Sequence, residues 1–255
     1  MNDETIQAIR EHAVSAYPHE ACGLVIVEDG REKYRRCRNL ADKPSEQFMI
    51  SPTDYADSED AGEIIAIVHS HPEAPAEPSD ADKVACEASG LPWHIVEVRH
   101  DGKGTVAAGA LASIEPSGYE APLVGRRFQH GILDCYTLIK DWYERERGIV
   151  LPHFQRSDAW WDDGKSALYM DHFREAGFVP AAGQLEVGDV ILMQIRSKND
   201  TPNHGAVYVG DGQILHHPYK RLSTRDVYGG MWKEYTRLVV RYAGPASTGG
   251  NGNEG

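Results

Sequence analysis

The stretch His69-Ser70-His71-Pro72, followed by Ser79 and Asp82, decides how the first half of this chain is read. Ile64-Ile65-Ala66-Ile67-Val68 runs into it, apolar and rich in β-branched residues, the composition of a buried strand. Side chains two apart on a strand share a face, so His69 and His71 leave its end together. Pro72 stops the strand, and Glu73 to Pro78 is a proline-broken loop. Ser79 opens a helix with Asp80 and Asp82 in its first turn, and Gly90 ends it. The loop can fold Asp82 back onto the two imidazoles. Two neutral histidines and one carboxylate suit zinc and leave a fourth position open for water. Ser79 to Asp82 is also a capping box, and histidines at a strand end are common on surfaces. Either half alone reads as structural; the whole string is much rarer.

That string, H-x-H-P-x(6)-S-x-x-D, resembles the signature of the JAMM (MPN) metalloproteases. Pro18-His19-Glu20-Ala21-Cys22-Gly23-Leu24 resembles the family's N-terminal segment. The resemblance implies one Zn2+ held by His69, His71 and Asp82. It implies Glu20 as the general base toward water and Ser79 as a group stabilising an oxyanion. Such roles are chemically coherent, because the metal, a carboxylate base and a hydroxyl divide the work of hydrolysis.

Composition sets the bounds. The chain has 255 residues, enough for one large domain or two ordinary ones. Its formal charge is -13, from 39 acidic against 26 basic residues, so a nucleic-acid partner is not expected, nor adhesion to anionic membranes. No apolar run approaches the roughly 18 residues of a membrane span. Met-Asn-Asp-Glu at the start lacks a basic region and an apolar region, so the protein is expected in the cytoplasm of its host. Cys22, Cys37, Cys86 and Cys135 are widely spaced, which fits reduced thiols.

Residues 4–16 place Ile6, Ile9, Ala13 and Ala16 on one helical stripe. Strands are expected over 22–27, 34–39, 48–50, 93–98 and 104–108, and a helix over 52–63. Cys22 reads as core, and His94 and His100 as ordinary strand and turn residues. Residues 1–112 then form a layered α/β domain around a mixed sheet. Residues 113–124 hold two Pro and a Gly and read as a linker. A second domain covers 125–245, and the Gly/Asn-rich residues 246–255 are expected to be disordered.

In the second half a helix is expected from Asp134 to Gly148, with Cys135 at its N-terminus, where the helix dipole favours a thiolate. His204-Gly205-Ala206-Val207-Tyr208-Val209, Gly210-Asp211-Gly212 and Gln213-Ile214-Leu215-His216 make a hairpin. Counted from Gly210, His204 and His216 fall roughly opposite each other on one face. His204 would deprotonate Cys135 while His216 holds its ring. His217 points to the other face. A structural cysteine and two hairpin histidines are the plain alternative.

This half resembles the NlpC-type cysteine peptidases through Asp134-Cys135, His204 to Gly210 and Ile214-Leu215-His216. The resemblance implies a reduced papain-like α+β domain acting on peptidoglycan stem peptides. Many members read Asp-Cys-Ser-Gly where this chain reads Asp134-Cys135-Tyr136-Thr137, which changes the groove beside the nucleophile. The two halves together, with Gly125-Arg126-Arg127-Phe128 and Trp160-Trp161, resemble the tail tip assembly protein K family of long-tailed phages. The expected whole is α+β in two domains, with two peptidase centres and other phage tail tip proteins as partners. Its expected places are the host cytoplasm during assembly and the virion tail tip. The competing reading is an assembly or docking factor with little or no catalytic activity.

Overall fold

Asn2 accepts a hydrogen bond from the Thr5 amide and so starts helix α1 (Asp3–Ala16). The apolar stripe of α1 buries Ile9 and Ala13 completely. They pack on one face of a sheet formed by β1 (Cys22–Glu28), β2 (Arg31–Cys37), β3 (Glu63–Pro72), β4 (Trp93–His100) and β5 (Val106–Ile114). The computed structural model describes residues 1–245, so the tail expected over 246–255 lies outside the described residues. The chain divides into two compact units, Met1–Glu120 and Ala121–Gly255.

In the first unit the strand order is β2-β1-β3-β4-β5. Only β3 and β4 run parallel, so the sheet is mixed. Ala66 and Val68 of β3 face α1. Ile67 faces the other way, into a second core with Leu24, Cys86 and Trp93. His69 and His71 continue that second face. Helices α2 (Pro52–Ala61) and α3 (Asp80–Ser89) lie on it through Tyr55, Ala61, Ala85 and Cys86. The strand expected over 48–50 is reduced to an isolated bridge between Asn39 and Ile50. The cause is the Asn39 side chain, which bonds the backbone of Glu20, Gln47, Ala41 and Met49 and holds the segment as a loop. The segment expected as a linker begins inside β5. Its residues Ser117 and Tyr119 donate backbone N–H groups to Glu87 of α3.

In the second unit, α4 (Cys135–Arg147) begins at Asp134, whose carboxylate accepts from the Tyr136 and Thr137 amides. Gly148 closes it in the left-handed conformation. A 3-10 turn (Trp160–Asp162) and the short helix α5 (Leu168–His172) follow. The sheet takes β6 (Phe178–Pro180), β7 (Val190–Met193), β8 (His204–Gly210), β9 (Gln213–His216), β10 (Thr224–Val227) and, after helix α6 (Met231–Tyr235), β11 (Thr236–Tyr242). Its order is β10-β9-β8-β7-β11-β6, antiparallel throughout. Leu138, Ile139 and Trp142 of α4 bury one face of this sheet with Leu192, Val207 and Leu215. Ile191, Ala206, Ile214 and Trp232 fill the other. Among the described residues no helix is long and apolar enough to cross a membrane.

Candidate metal and thiol centres

The first unit gathers His69, His71 and Asp82. The alternation of β3 puts both imidazoles on the face toward α3, and the loop after Pro72 returns the first turn of α3 to them. His69 Nε2 lies 3.0 Å from His71 Nε2, 3.3 Å from Asp82 Oδ1, and His71 Nε2 lies 3.4 Å from Asp82 Oδ2. His71 Nδ1 lies 2.8 Å from the Pro75 carbonyl, which can only accept, so its Nε2 lone pair turns to the cluster. Phe48 stacks on His69 at 4.6 Å and Trp93 meets its edge at 5.4 Å, fixing the ring. These three side chains could hold a metal ion. A tetrahedral zinc with bonds of about 2.0–2.1 Å keeps its ligand atoms roughly 3.3 Å apart, which the observed spacings fit. Burial opposes ionisation of Asp82, yet its close contacts with His69 and His71 hold its carboxyl well below the usual range.

Ser79 and Asp82 complete a capping box: Asp82 N–H donates to Ser79 Oγ at 3.1 Å, and Ser79 N–H to Asp82 Oδ2 at 2.7 Å. The structural and chemical readings of this pair therefore coincide, because the cap aims the carboxylate. Glu20 is buried just before β1, its backbone tied to Pro44 and Asn39. Burial, opposed by His71 and assisted by Asp82, pushes its carboxyl up to about 8. Cys22 lies in the core, and burial pushes its thiol up to about 12.

The second unit holds a cavity of about 630 Å³, lined among others by Cys135, Tyr136, Trp160, Trp161, Tyr169 and His204. The thiol receives a hydrogen bond from the backbone of Gly205, the residue after His204, and lies 3.2 Å from the Tyr169 hydroxyl. Gly205 is needed there: a Cβ would come within 2.7 Å of Ile139 Cδ1 and 2.9 Å of the Tyr169 oxygen. His204 Nε2 is 3.0 Å from His216 Nδ1. The hairpin register differs from the expected one. His216 pairs with Ala206, because the turn is centred on Asp211-Gly212 and not on Gly210, and a bulge between Tyr208 and Gly210 takes back one residue of that offset. The two rings still meet, diagonally and on one face.

The helix terminus that favours a thiolate meets stronger opposing forces. Burial, and next the neighbouring Asp134, push the Cys135 thiol up to about 11, outweighing the helix terminus, the Gly205 amide and Tyr169. Burial likewise lowers His204 to about 3. Both shifts favour a neutral thiol and a neutral imidazole at rest. His217 is buried as well and lines the same cavity, its Nε2 3.1 Å from the Arg221 carbonyl.

Three contributors had no sequence signal of their own. Asp134 is buried, but Arg156 clamps it at 2.8 Å and 2.9 Å and holds its carboxyl down at about 2. Tyr169 reaches the thiol from α5. Asp226 accepts from His216 Nε2 at 3.1 Å. A search for carboxylates two residues off the register of His216 would have pointed to Asp226.

Residues 2–108 match the family model of prokaryotic homologs of the JAB domain. Residues 125–241 match the NlpC/P60 family model. Tail tip assembly protein K of Escherichia phage N15 is 40% identical over 243 residues, 95% of this chain and 96% of that protein. Tail tip assembly protein K of Escherichia phage lambda is 38% identical over 195 residues, 76% of this chain and 89% of that one. A solution structure of a protein from Salinibacter ruber is 28% identical, covers 44% of this chain and 78% of its own, and has a TM-score of 0.31.

Proposed function

The chain belongs to the tail tip assembly protein K family, and on that premise we propose that it works in phage tail tip assembly and cell-wall penetration as a hydrolase with two peptidase centres. One is a zinc (iso)peptidase at His69, His71 and Asp82. The other is a Cys–His endopeptidase acting on peptidoglycan stem peptides. Its partners are other tail tip proteins, met in the host cytoplasm or at the virion tail tip.

The observation that carries this reading is the cavity of the second unit, where Cys135 and His204 share one lining and His216 holds the His204 ring. His204 takes the Cys135 proton as the sulfur attacks a carbonyl carbon, and returns it to the leaving amine. The neutral resting pair means that this transfer accompanies attack. Aromatic walls exclude water and position the peptide.

In the first unit, zinc when bound supplies a Lewis acid and lowers the pKa of water. Glu20 is the base, and a divalent cation beside it favours its carboxylate. Ser79 Oγ accepts from Asp82 and keeps its own O–H to donate to an oxyanion.

An assembly role without turnover is the second reading, favoured by the burial that raises the Cys135 thiol and the Glu20 carboxyl. Peptidoglycan digestion decides. The full chain should release muropeptides, Cys135→Ala should release none, and Glu20→Gln or EDTA should leave release intact. Metal analysis should find about one zinc per chain. No cleavage by any variant would give the assembly reading the field.

A further inference from the structure

The ring contact of His204 with His216 continues one step further. Strands β8, β9 and β10 lie side by side, and one lateral row pairs Ala206, His216 and Thr224. His204 precedes Ala206 by two and Asp226 follows Thr224 by two, so both side chains share the face of His216 and reach it diagonally. His204 Nε2 is 3.0 Å from His216 Nδ1, and His216 Nε2 is 3.1 Å from Asp226 Oδ2. His216 is fully buried, and Trp232 stands edge-on to it at 4.5 Å. Water does not compete for its ring.

A neutral imidazole has one N–H donor and one lone pair, while an ionised carboxylate only accepts. Asp226 is therefore the one member whose direction is decided in advance. It requires the hydrogen of His216 on Nε2. That leaves the His216 Nδ1 lone pair, which requires the hydrogen of His204 on Nε2. The nitrogen left bare is His204 Nδ1. The opposite set of tautomers would face Asp226 with a lone pair and leave His204 without a base.

We propose that Asp226 is a positioning residue of the thiol centre: through His216 it fixes the ring hydrogens so that His204 Nδ1 stays free to receive the Cys135 proton. The proposal rests on His204 being the base for Cys135. The step balances: the S–H bond breaks, an N–H bond forms at His204 Nδ1, and a thiolate and an imidazolium result. The new positive charge then lies two hydrogen bonds from a carboxylate. The other groups that face these rings work against it. His217 lies beside His204 and Arg221 beside His216, and each disfavours a further positive charge.

Long-range proton–nitrogen NMR spectra of the histidine rings in the full-length chain test this near pH 7. The wild type should show both His204 and His216 neutral with hydrogen on Nε2. Hydrogen on Nδ1 of either ring in the wild type overturns the proposal, and needs no variant that folds. Asp226→Asn can donate as well as accept, so it should shift both rings toward Nδ1–H. Unchanged spectra in that variant also overturn it. In peptidoglycan digestion Asp226→Asn should lower kcat about tenfold or more with KM little changed, below the roughly 10⁴-fold loss seen where an Asp touches the base directly. Asp226→Glu should recover part of the loss. If the wild type cleaves nothing, the peptidase reading fails, and the tautomers still decide the role of Asp226.

Discussion

Cys135 shows how a single residue is pulled in two directions. The first turn of α4 offers it aligned amides, which favour the thiolate. The cavity wall takes away water, which favours the thiol. Burial wins and pushes the thiol up to about 11. Carbamidomethylation of native protein by iodoacetamide should therefore be slow at neutral pH and rise about tenfold per pH unit between 7 and 9, following the thiolate fraction. Cys22, Cys37 and Cys86 are buried, so mass spectrometry should place the label on Cys135 alone. A rate already flat below pH 7 would mean a preformed ion pair with His204. At this scale the sequence was legible where chemistry follows local spacing. His69 and His71 sit on one strand and Asp82 on the helix turn after the next loop, all within one short stretch. Asp226, Tyr169 and Arg156 arrive through tertiary contacts with other segments, and no local pattern marks them. The burial that sets the Cys135 thiol is likewise a tertiary quantity.

At the scale of elements, α3 links stability to the metal site. Ser79 caps the helix and also orients the ligand carboxylate, since Asp82 closes the capping box. Ser79→Ala should cost the fold about 0.5–2 kcal/mol, as loss of an N-cap does. It should also weaken zinc binding, because the Asp82 N–H loses the Ser79 Oγ that accepts from it and the turn that aims the carboxylate loosens. Ser79→Asn restores a cap acceptor without a hydroxyl. Isothermal titration with zinc and a melting curve should find Asn close to wild type and Ala below it, while hydrolysis fails in both. Equal zinc affinity in all three proteins would show that the cap does not aim Asp82. The elements themselves were largely readable: α1, β1, α3, α4 and β8 fall where periodicity, caps and Gly punctuation put them. The exceptions have local causes. Asn39 claims the backbone that a strand over 48–50 would have used. The turn centres on Asp211-Gly212 and not on Gly210, which, less the one residue a bulge takes back, moved the partner of His216 to Ala206.

For the molecule as a whole, buried neutral histidines set an acid limit on stability. His204 and His217 are buried in the second unit, and burial lowers them to about 3 and about 4. Both are depressed below the unfolded value of about 6.5, so the unfolded chain binds protons first as pH falls. Their stabilisation is complete above about pH 6.5 and is lost between there and about pH 3–4. By about pH 5 each has given up roughly 2 kcal/mol, because every pH step below the unfolded value costs about 1.36 kcal/mol while the folded ring stays neutral. That is a large share of a net stability of about 5–15 kcal/mol. Trp142, Trp160, Trp161 and Trp232 lie in the second unit and only Trp93 in the first, so tryptophan fluorescence reports mainly on the second. Urea midpoints followed this way should fall steadily from pH 7 to pH 5. His217→Gln cannot be protonated, and should flatten the slope whatever it does to the midpoint at pH 7. A slope unchanged in that variant would place the acid sensitivity elsewhere. A slope of the opposite sign would mean that the folded cavity takes up protons, which its apolar walls and the facing Arg126 and Arg221 oppose.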